Sequence, residues 1–499
     1  MKKIFKKIIF ATTIITAVFI ISFSFSNHAQ AAANIFDGST DSNWGTAANW
    51  SQGTVPTATD TYVTTFDATS PDCTVNTSAR VANAIDFTNY TNTITMTYQI
   101  TVSGNITLGA SMGISGSGLL VVNATATLTS NTKTWPNEFA FSGTSKTYTL
   151  ADDWDIDGRL DLNGATAQVI NGQTIYAGGS LLSNTTGTTS GTTNIVMNGT
   201  GTWSNSSSGQ LRLNLTFNTA GTITISGNVY YNTGTLTYTA GTMVTTGSTL
   251  NISTNTTLAT NGMSWGNLSL TGNPATITQT TDNSFSGNVT IGVTTTVQTI
   301  NGIYNLNVGG NFTQNGTTGY VGGTSTIIMN GTGTINCPNS TNYTNIRINF
   351  IFNTAGTITF GSNVCFATNT VTYTAGTVII TNSTFYFTGV GTLNLNGLTL
   401  NNFRITGTGT ISLASGLVIG GLFSNVDSAS HVSLVSSVGG TQRVVTLLAG
   451  ATQNLSKVDA TDIDSSAGQT IWSYGGVLSN ATNWKDSSVL PTIAYVFLF

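Results

Sequence analysis

Phe217-Asn218-Thr219-Ala220-Gly221-Thr222-Ile223-Thr224 returns, letter for letter, as Phe352-Asn353-Thr354-Ala355-Gly356-Thr357-Ile358-Thr359. Tyr238-Thr239-Ala240-Gly241-Thr242 returns in the same way as Tyr373-Thr374-Ala375-Gly376-Thr377. The two matches share one offset, 352 − 217 = 135 and 373 − 238 = 135, which still holds from Asn261-Gly262 to Asn396-Gly397. Upstream, Met197–Thr202 recurs as Met329–Thr334 with an offset of 329 − 197 = 132, and a three-residue insertion near Pro338–Tyr343 accounts for the difference. The chain carries a tandem duplication.

Within each copy, runs such as Leu211-Arg212-Leu213-Asn214-Leu215-Thr216-Phe217 alternate apolar and polar residues. The counterpart is Ile346-Arg347-Ile348-Asn349-Phe350-Ile351-Phe352. A period of two presents one apolar face, and the Gly, Asn and Thr clusters between runs read as tight turns between short strands. Beyond the N-terminal segment, apolar spacing of three and four is not sustained over helical length. Strands alone, in a duplicated unit, point to a β-solenoid whose coils stack on their neighbours. At roughly 20–25 residues per coil, each copy holds about six. The expected fold is all-β, a right-handed parallel β-helix; the rival is an array of β-sandwiches.

Residues 1–31 read as a secretory signal peptide. Lys2, Lys3, Lys6 and Lys7 precede a long apolar run, and Ala29-Gln30-Ala31 supplies the small-x-small cleavage pattern. The competing reading is an uncleaved anchor. The chain has 14 Lys+Arg and 18 Asp+Glu, so removing the four leader lysines leaves 10 − 18 = −8. With only 6% charged residues, solubility falls to Thr, Asn, Ser and Gly. Scattered single arginines form no basic patch, which excludes nucleic acid as a partner. No transmembrane segment is expected in the mature chain.

Residues 32–99 read as an N-terminal β cap region, in which Trp44 and Trp50 either seal the apolar core or stack on sugar rings. The opening Asn43-Trp44…Ala47-Ala48-Asn49-Trp50…Val55-Pro56-Thr57, with the Asn-Gly-Thr-Gly-Thr and Asn-Thr-Ala-Gly-Thr repeats, resembles secreted bacterial Gly/Thr/Asn-rich β-helical adhesin-like surface proteins. The resemblance implies a surface or extracellular structural role and no activity. The solenoid proper is expected over residues 100–425, with copies at about 160–290 and 291–425. Residues 426–499 shift in texture and read as a C-terminal β cap region. The aromatic end Ile493–Phe499 makes one strand at most, too little for a membrane barrel. Leu490-Pro491-Thr492 begins like a cell-wall sorting signal that does not continue.

The densest charge is Asp152, Asp153, Asp155, Asp157 and Asp161. Asp153-Trp154-Asp155-Ile156-Asp157-Gly158 matches the first half of an EF-hand loop and Asp161 falls at its ninth position, but Gly164 stands where the bidentate Glu belongs. Asp153, Asp155, Asp157 and Asp161 are therefore the candidate calcium ligands. As a strand, the same stretch puts Trp154, Ile156, Leu160 and Leu162 on one face and the aspartates with Arg159 on the other, a solvated acidic face needing no ion. No other cofactor is indicated.

Chemistry is otherwise sparse. One histidine lies beyond the leader, His431, amid Ser428, Ser430 and Ser433, which makes a weak Ser–His–Asp case and rules out zinc held by several histidines. Polysaccharide enzymes on β-helices need paired carboxylates, or calcium with a basic residue. Only the Asp153/Asp155/Asp157 cluster with Arg159 answers, and Arg212 and Arg347 recur without acidic partners. No catalytic residue is assigned. Cys337 aligns with Asn205 (205 + 132 = 337) and Cys365 with Tyr230 (230 + 135 = 365), so both thiols are peculiar to the second copy. At 365 − 337 = 28 residues apart, about one coil plus the insertion, they are a candidate disulfide, against the alternative of two buried thiols. The expected function is an extracellular or cell-surface stalk, adhesin or matrix component, its partner a polysaccharide or a neighbouring cell surface. A carbohydrate-active enzyme or lectin on the same scaffold is the alternative.

Overall fold

The computed structural model describes residues 33–488 except 165, 184–186, 206–208, 273, 293–296, 316–318, 338–345, 368 and 426–429. The leader, the insertion near Pro338–Tyr343, Ser428 and the 490–499 end lie outside that set. Among the described residues there is no α-helix, only a 3-10 turn at Ala47–Asn49, and so no helix long and apolar enough to cross a membrane. The strands pair in parallel, the Phe36–Trp50 bridge being antiparallel. Parallel pairing at coil-length spacing is that of a β-solenoid, a parallel β-helix, and rules out the sandwich array.

The chain forms two compact units. One comprises residues up to Ile156 with Asn171–Gln173, the other Asp157–Ile170 and everything from Thr174. In the first, Thr64, Ile85, Ile106, Leu128 and Leu150 pair in succession and are all buried. A second column runs Arg80, Ile100, Leu120, Phe139, and a third Cys73, Ile94, Ile114. Each coil thus has three strand faces around a dry centre. Among the described residues the first strand is Ala33–Ile35, which pairs in parallel with Val63–Thr65.

In the second unit Leu250, Leu268, Val289, Phe312 and Ile335 form one inward column, each at most 1% exposed. The spacings 289 − 268 = 21 and 312 − 289 = 23 match the coil length expected from sequence. In later coils the column turns aromatic: Phe360, Phe385, Phe403 and Phe423 follow at centroid distances of 6.1, 6.0 and 5.6 Å. Among the described residues parallel pairing continues to Leu478–Thr482 and Trp484–Asp486.

The Asn-Thr-Ala-Gly-Thr motifs lie inside the strands Gln210–Ser226 and Ile346–Phe360, where the pairing register shifts, and the Asn-Gly-Thr-Gly motifs are turns. In Asn-Thr-Ala-Gly-Thr the buried Thr219 hydroxyl accepts the Gly221 N–H at 2.8 Å, and Thr354 does the same for Gly356 at 2.9 Å. In Asn-Gly-Thr-Gly the first glycine leaves no room for a side chain. A Cβ on Gly199 would sit 2.0 Å from the Gly178 carbonyl oxygen, and one on Gly331 2.0 Å from that of Gly309. Other corners are tied by asparagine: Asn267 Oδ1 accepts the Asn288 N–H at 2.8 Å, Asn288 Oδ1 that of Asn311 at 2.9 Å, and Asn311 Oδ1 that of Thr334 at 2.7 Å.

Two substitutions separate core from corner. Asn288→Ala should lower unfolding free energy by about 1 kcal/mol, the worth of one such bond. Phe403→Ala should cost about 3–5 kcal/mol as a large core deletion. Urea unfolding of the purified protein measures both, and equal costs would refute this division of labour.

Candidate functional site

The strand Gln210–Ser226 buries Leu211, Leu213, Leu215 and Phe217 and turns Gln210, Arg212 and Asn214 outward. Thr188 pairs with Gln210 and Ser190 with Arg212 in the preceding coil. The Leu211–Tyr231 bridge brings Tyr230 to the row of Gln210 in the next coil. Tyr231 is buried under this face, where its hydroxyl donates to the Leu213 carbonyl at 2.8 Å and burial pushes its phenol well above the usual range. Tyr230 consequently points out.

These side chains line a lateral groove of about 450 Å³, shared with Ser253 and Thr271. Arg212 Nε and Nη2 donate to Gln210 Oε1 at 3.2 and 2.7 Å, fixing the guanidinium, while Gln210 Nε2 reaches Ser253 Oγ at 3.5 Å. A held guanidinium, an amide, hydroxyls and a phenol ring converge on one groove. Such a set can donate to and accept from vicinal hydroxyls and cover an apolar ring face. The described lining residues include no carboxylate, the group that glycoside hydrolysis uses in pairs.

The second copy treats the same positions differently. Arg347, the counterpart of Arg212, lies 3.9 Å from the centre of the Tyr320 ring. Tyr320 occupies the place of Thr188 (188 + 132 = 320), and Cys365 that of Tyr230. An aromatic covers the arginine in one copy; in the other the arginine lines an open groove.

Compared with known proteins, the chain matches no family model, no curated protein and no solved structure.

The residues singled out in the sequence are dispersed. Trp44 and Trp50 are 0% and 2% exposed and pack with Phe36 and Phe66 at 5.1–5.6 Å, which leaves neither indole a face for a sugar. Trp154, Ile156, Leu160 and Leu162 are buried as expected. Asp161 is not on a solvated face: it is 6% exposed, with Arg159 Nη2 at 3.7 Å from its carboxylate. The stretch is two strands, Trp154–Ile156 and Leu160–Leu162, and in the second all three residues are buried, Asp161 with its leucines. Asp152 accepts the Ser130 and Asn131 N–H groups, both at 2.7 Å, and Asp155 the Thr134 hydroxyl at 2.9 Å. Among the described residues no three His, Cys, Asp or Glu side chains gather as a metal set, Asp153 and Asp157 included.

His431 Nδ1 lies 2.7 Å from Asp459 Oδ1, but the Ser433 hydroxyl donates at 3.5 Å to the other oxygen of Asp459. The serine–imidazole contact that activates a nucleophile is not made by Ser433. Cys337 and Cys365, the candidate disulfide, are both buried and stand as free thiols in this structure. Sequence reasoning noted Arg212 and Arg347 but missed Gln210, Thr188 and Tyr230. The available signal was divergence between copies at the Thr188/Tyr320 and Tyr230/Cys365 pairs.

Since no carboxylate cluster is assembled, thermal melts with and without a calcium chelator are expected to coincide. A lower melting temperature in chelator, abolished by alanines at Asp153, Asp155 and Asp157, would instead establish a calcium site.

Proposed function

We propose that this chain is an extracellular or cell-surface structural protein, a β-helical stalk or adhesin whose first repeat copy contacts polysaccharide. The lateral groove carries the proposal: Arg212, Gln210, Tyr230 and Ser253 present hydroxyl-seeking groups beside a ring, with no acid among the described lining residues. The leader pattern in residues 1–31, the low charge and the resemblance to secreted Gly/Thr/Asn-rich adhesin-like proteins support the location. Corner side chains already hydrogen-bonded to the next coil support a scaffold that holds its shape outside the cell. The role is binding without turnover.

The test is a panel of polysaccharides scored separately for binding and for released product. Binding with no product is expected. Arg212→Ala should weaken it about tenfold or more, the worth of one charge-assisted hydrogen bond. Product release would convert the reading to an enzyme, and binding indifferent to both Arg212→Ala and Tyr230→Ala would move the contact off this groove. Amino-terminal sequencing of protein recovered from culture medium or cell surface should begin at Ala32.

A further inference from the structure

We propose that Cys337 and Cys365 form an intramolecular disulfide that staples two consecutive coils of the second repeat copy. The register places them together. Gly333, Thr334 and Ile335 pair with Ile358, Thr359 and Phe360, so Cys337 lies under the chain entering Val364–Ala367. Its own N–H donates to Ser362 Oγ at 2.8 Å. The Cys337 thiol is hydrogen-bonded to the Cys365 backbone and feels the Cys365 side chain electrostatically. Both residues are 0% exposed. Continued past Phe360, the register sets Cys337 against Ser362 (337 + 25 = 362), about one strand spacing of 4.8 Å away, and Cys365 follows three residues later at the start of the next strand.

The first copy closes the corresponding corner in another way. There Asn205 stands for Cys337, and its amide donates to the Gly209 carbonyl at 2.8 Å, while Tyr230 stands for Cys365 and lines the groove. The second copy has exchanged an amide tie and a tyrosine for two buried thiols, the first of them against the backbone of the second.

The bond forms by exchange with a small-molecule or protein disulfide. One cysteine thiolate attacks that disulfide and expels one thiolate; the second cysteine attacks the mixed disulfide and expels the other. Two cysteine protons and two electrons leave the protein, and the oxidant becomes two thiols. Burial pushes the Cys337 thiol well above its usual range, and the thiolate is the nucleophile. Exchange therefore belongs to folding, before the coil closes. Once formed, the bond is shielded from reductant.

Trypsin can read the outcome because Arg347 lies between the two cysteines, and Cys73 is cut away at Arg80. The full-length protein is refolded with oxidised and reduced glutathione, alkylated under denaturing conditions and digested without reduction. The expected product is one linked pair, the peptide ending at Arg347 joined to the peptide beginning at Ile348, with Cys73 alkylated. Oxidised protein should also unfold at higher denaturant than reduced protein. That shift should survive Cys73→Ser and vanish in the Cys337→Ser, Cys365→Ser double variant. Separate alkylated Cys337 and Cys365 peptides, or a link to Cys73, would overturn the proposal.

Discussion

Where the chain leaves one face of a coil and enters the next, as at Asn288, Asn311 and Thr334, a backbone N–H turns to a side chain of the neighbouring coil. The structure depends on what receives that N–H. In one coil after another the acceptor is an asparagine side chain from the turn below, as along Asn267, Asn288 and Asn311. The same turn brings glycine against the carbonyl of its neighbour, where no side chain fits, as at Gly199 and Gly331. These two requirements account for the asparagine, glycine and low charge of the composition. A carboxylate can serve the same acceptor role, as Asp72 does for Thr93 and Asp282 for Asn305. Stacking it at every turn would line up like charges one strand spacing apart.

Much of this was legible in the sequence. The alternation in Leu211–Phe217 and Ile346–Phe352 marked strands, and the 135-residue echo marked stacked coils. The parts that were not legible have physical reasons. For Trp44 and Trp50 the sequence left core sealing and sugar stacking open, and their burial against each other, Phe36 and Phe66 decides for the core. Asp161 read as exposed because alternation assigns odd positions to solvent, whereas all three residues of Leu160–Leu162 are buried and Arg159 lies beside the carboxylate. The groove escaped because its residues are adjacent only across coils: Thr188, Arg212, Tyr230 and Ser253 are about one coil apart in sequence.

The two copies show what duplication does to a surface when the core is held fixed. Leu211, Leu213, Leu215 and Phe217 become Ile346, Ile348, Phe350 and Phe352, all buried and all apolar. The outward arginine is also kept, yet its neighbours change: Thr188 becomes Tyr320, which covers it, and Tyr230 becomes a buried cysteine. Outward residues answer only to the adjacent coil, whereas inward ones must also fill a shared centre. Divergence accordingly collects on the lateral face.

The register itself has an evolutionary corollary. Trp203 pairs forward with Ile225, and its counterpart Ile335 pairs forward with Phe360, so the repeated segment returns to the same point of the coil. A segment that closes on a whole number of coils can be copied into the gene without misaligning anything above or below it. Each new floor meets the same ceiling. Unequal crossing-over between the two copies would then lengthen or shorten the protein in steps of about 135 residues, leaving every corner bond a partner, so that reach becomes a heritable quantity separable from folding.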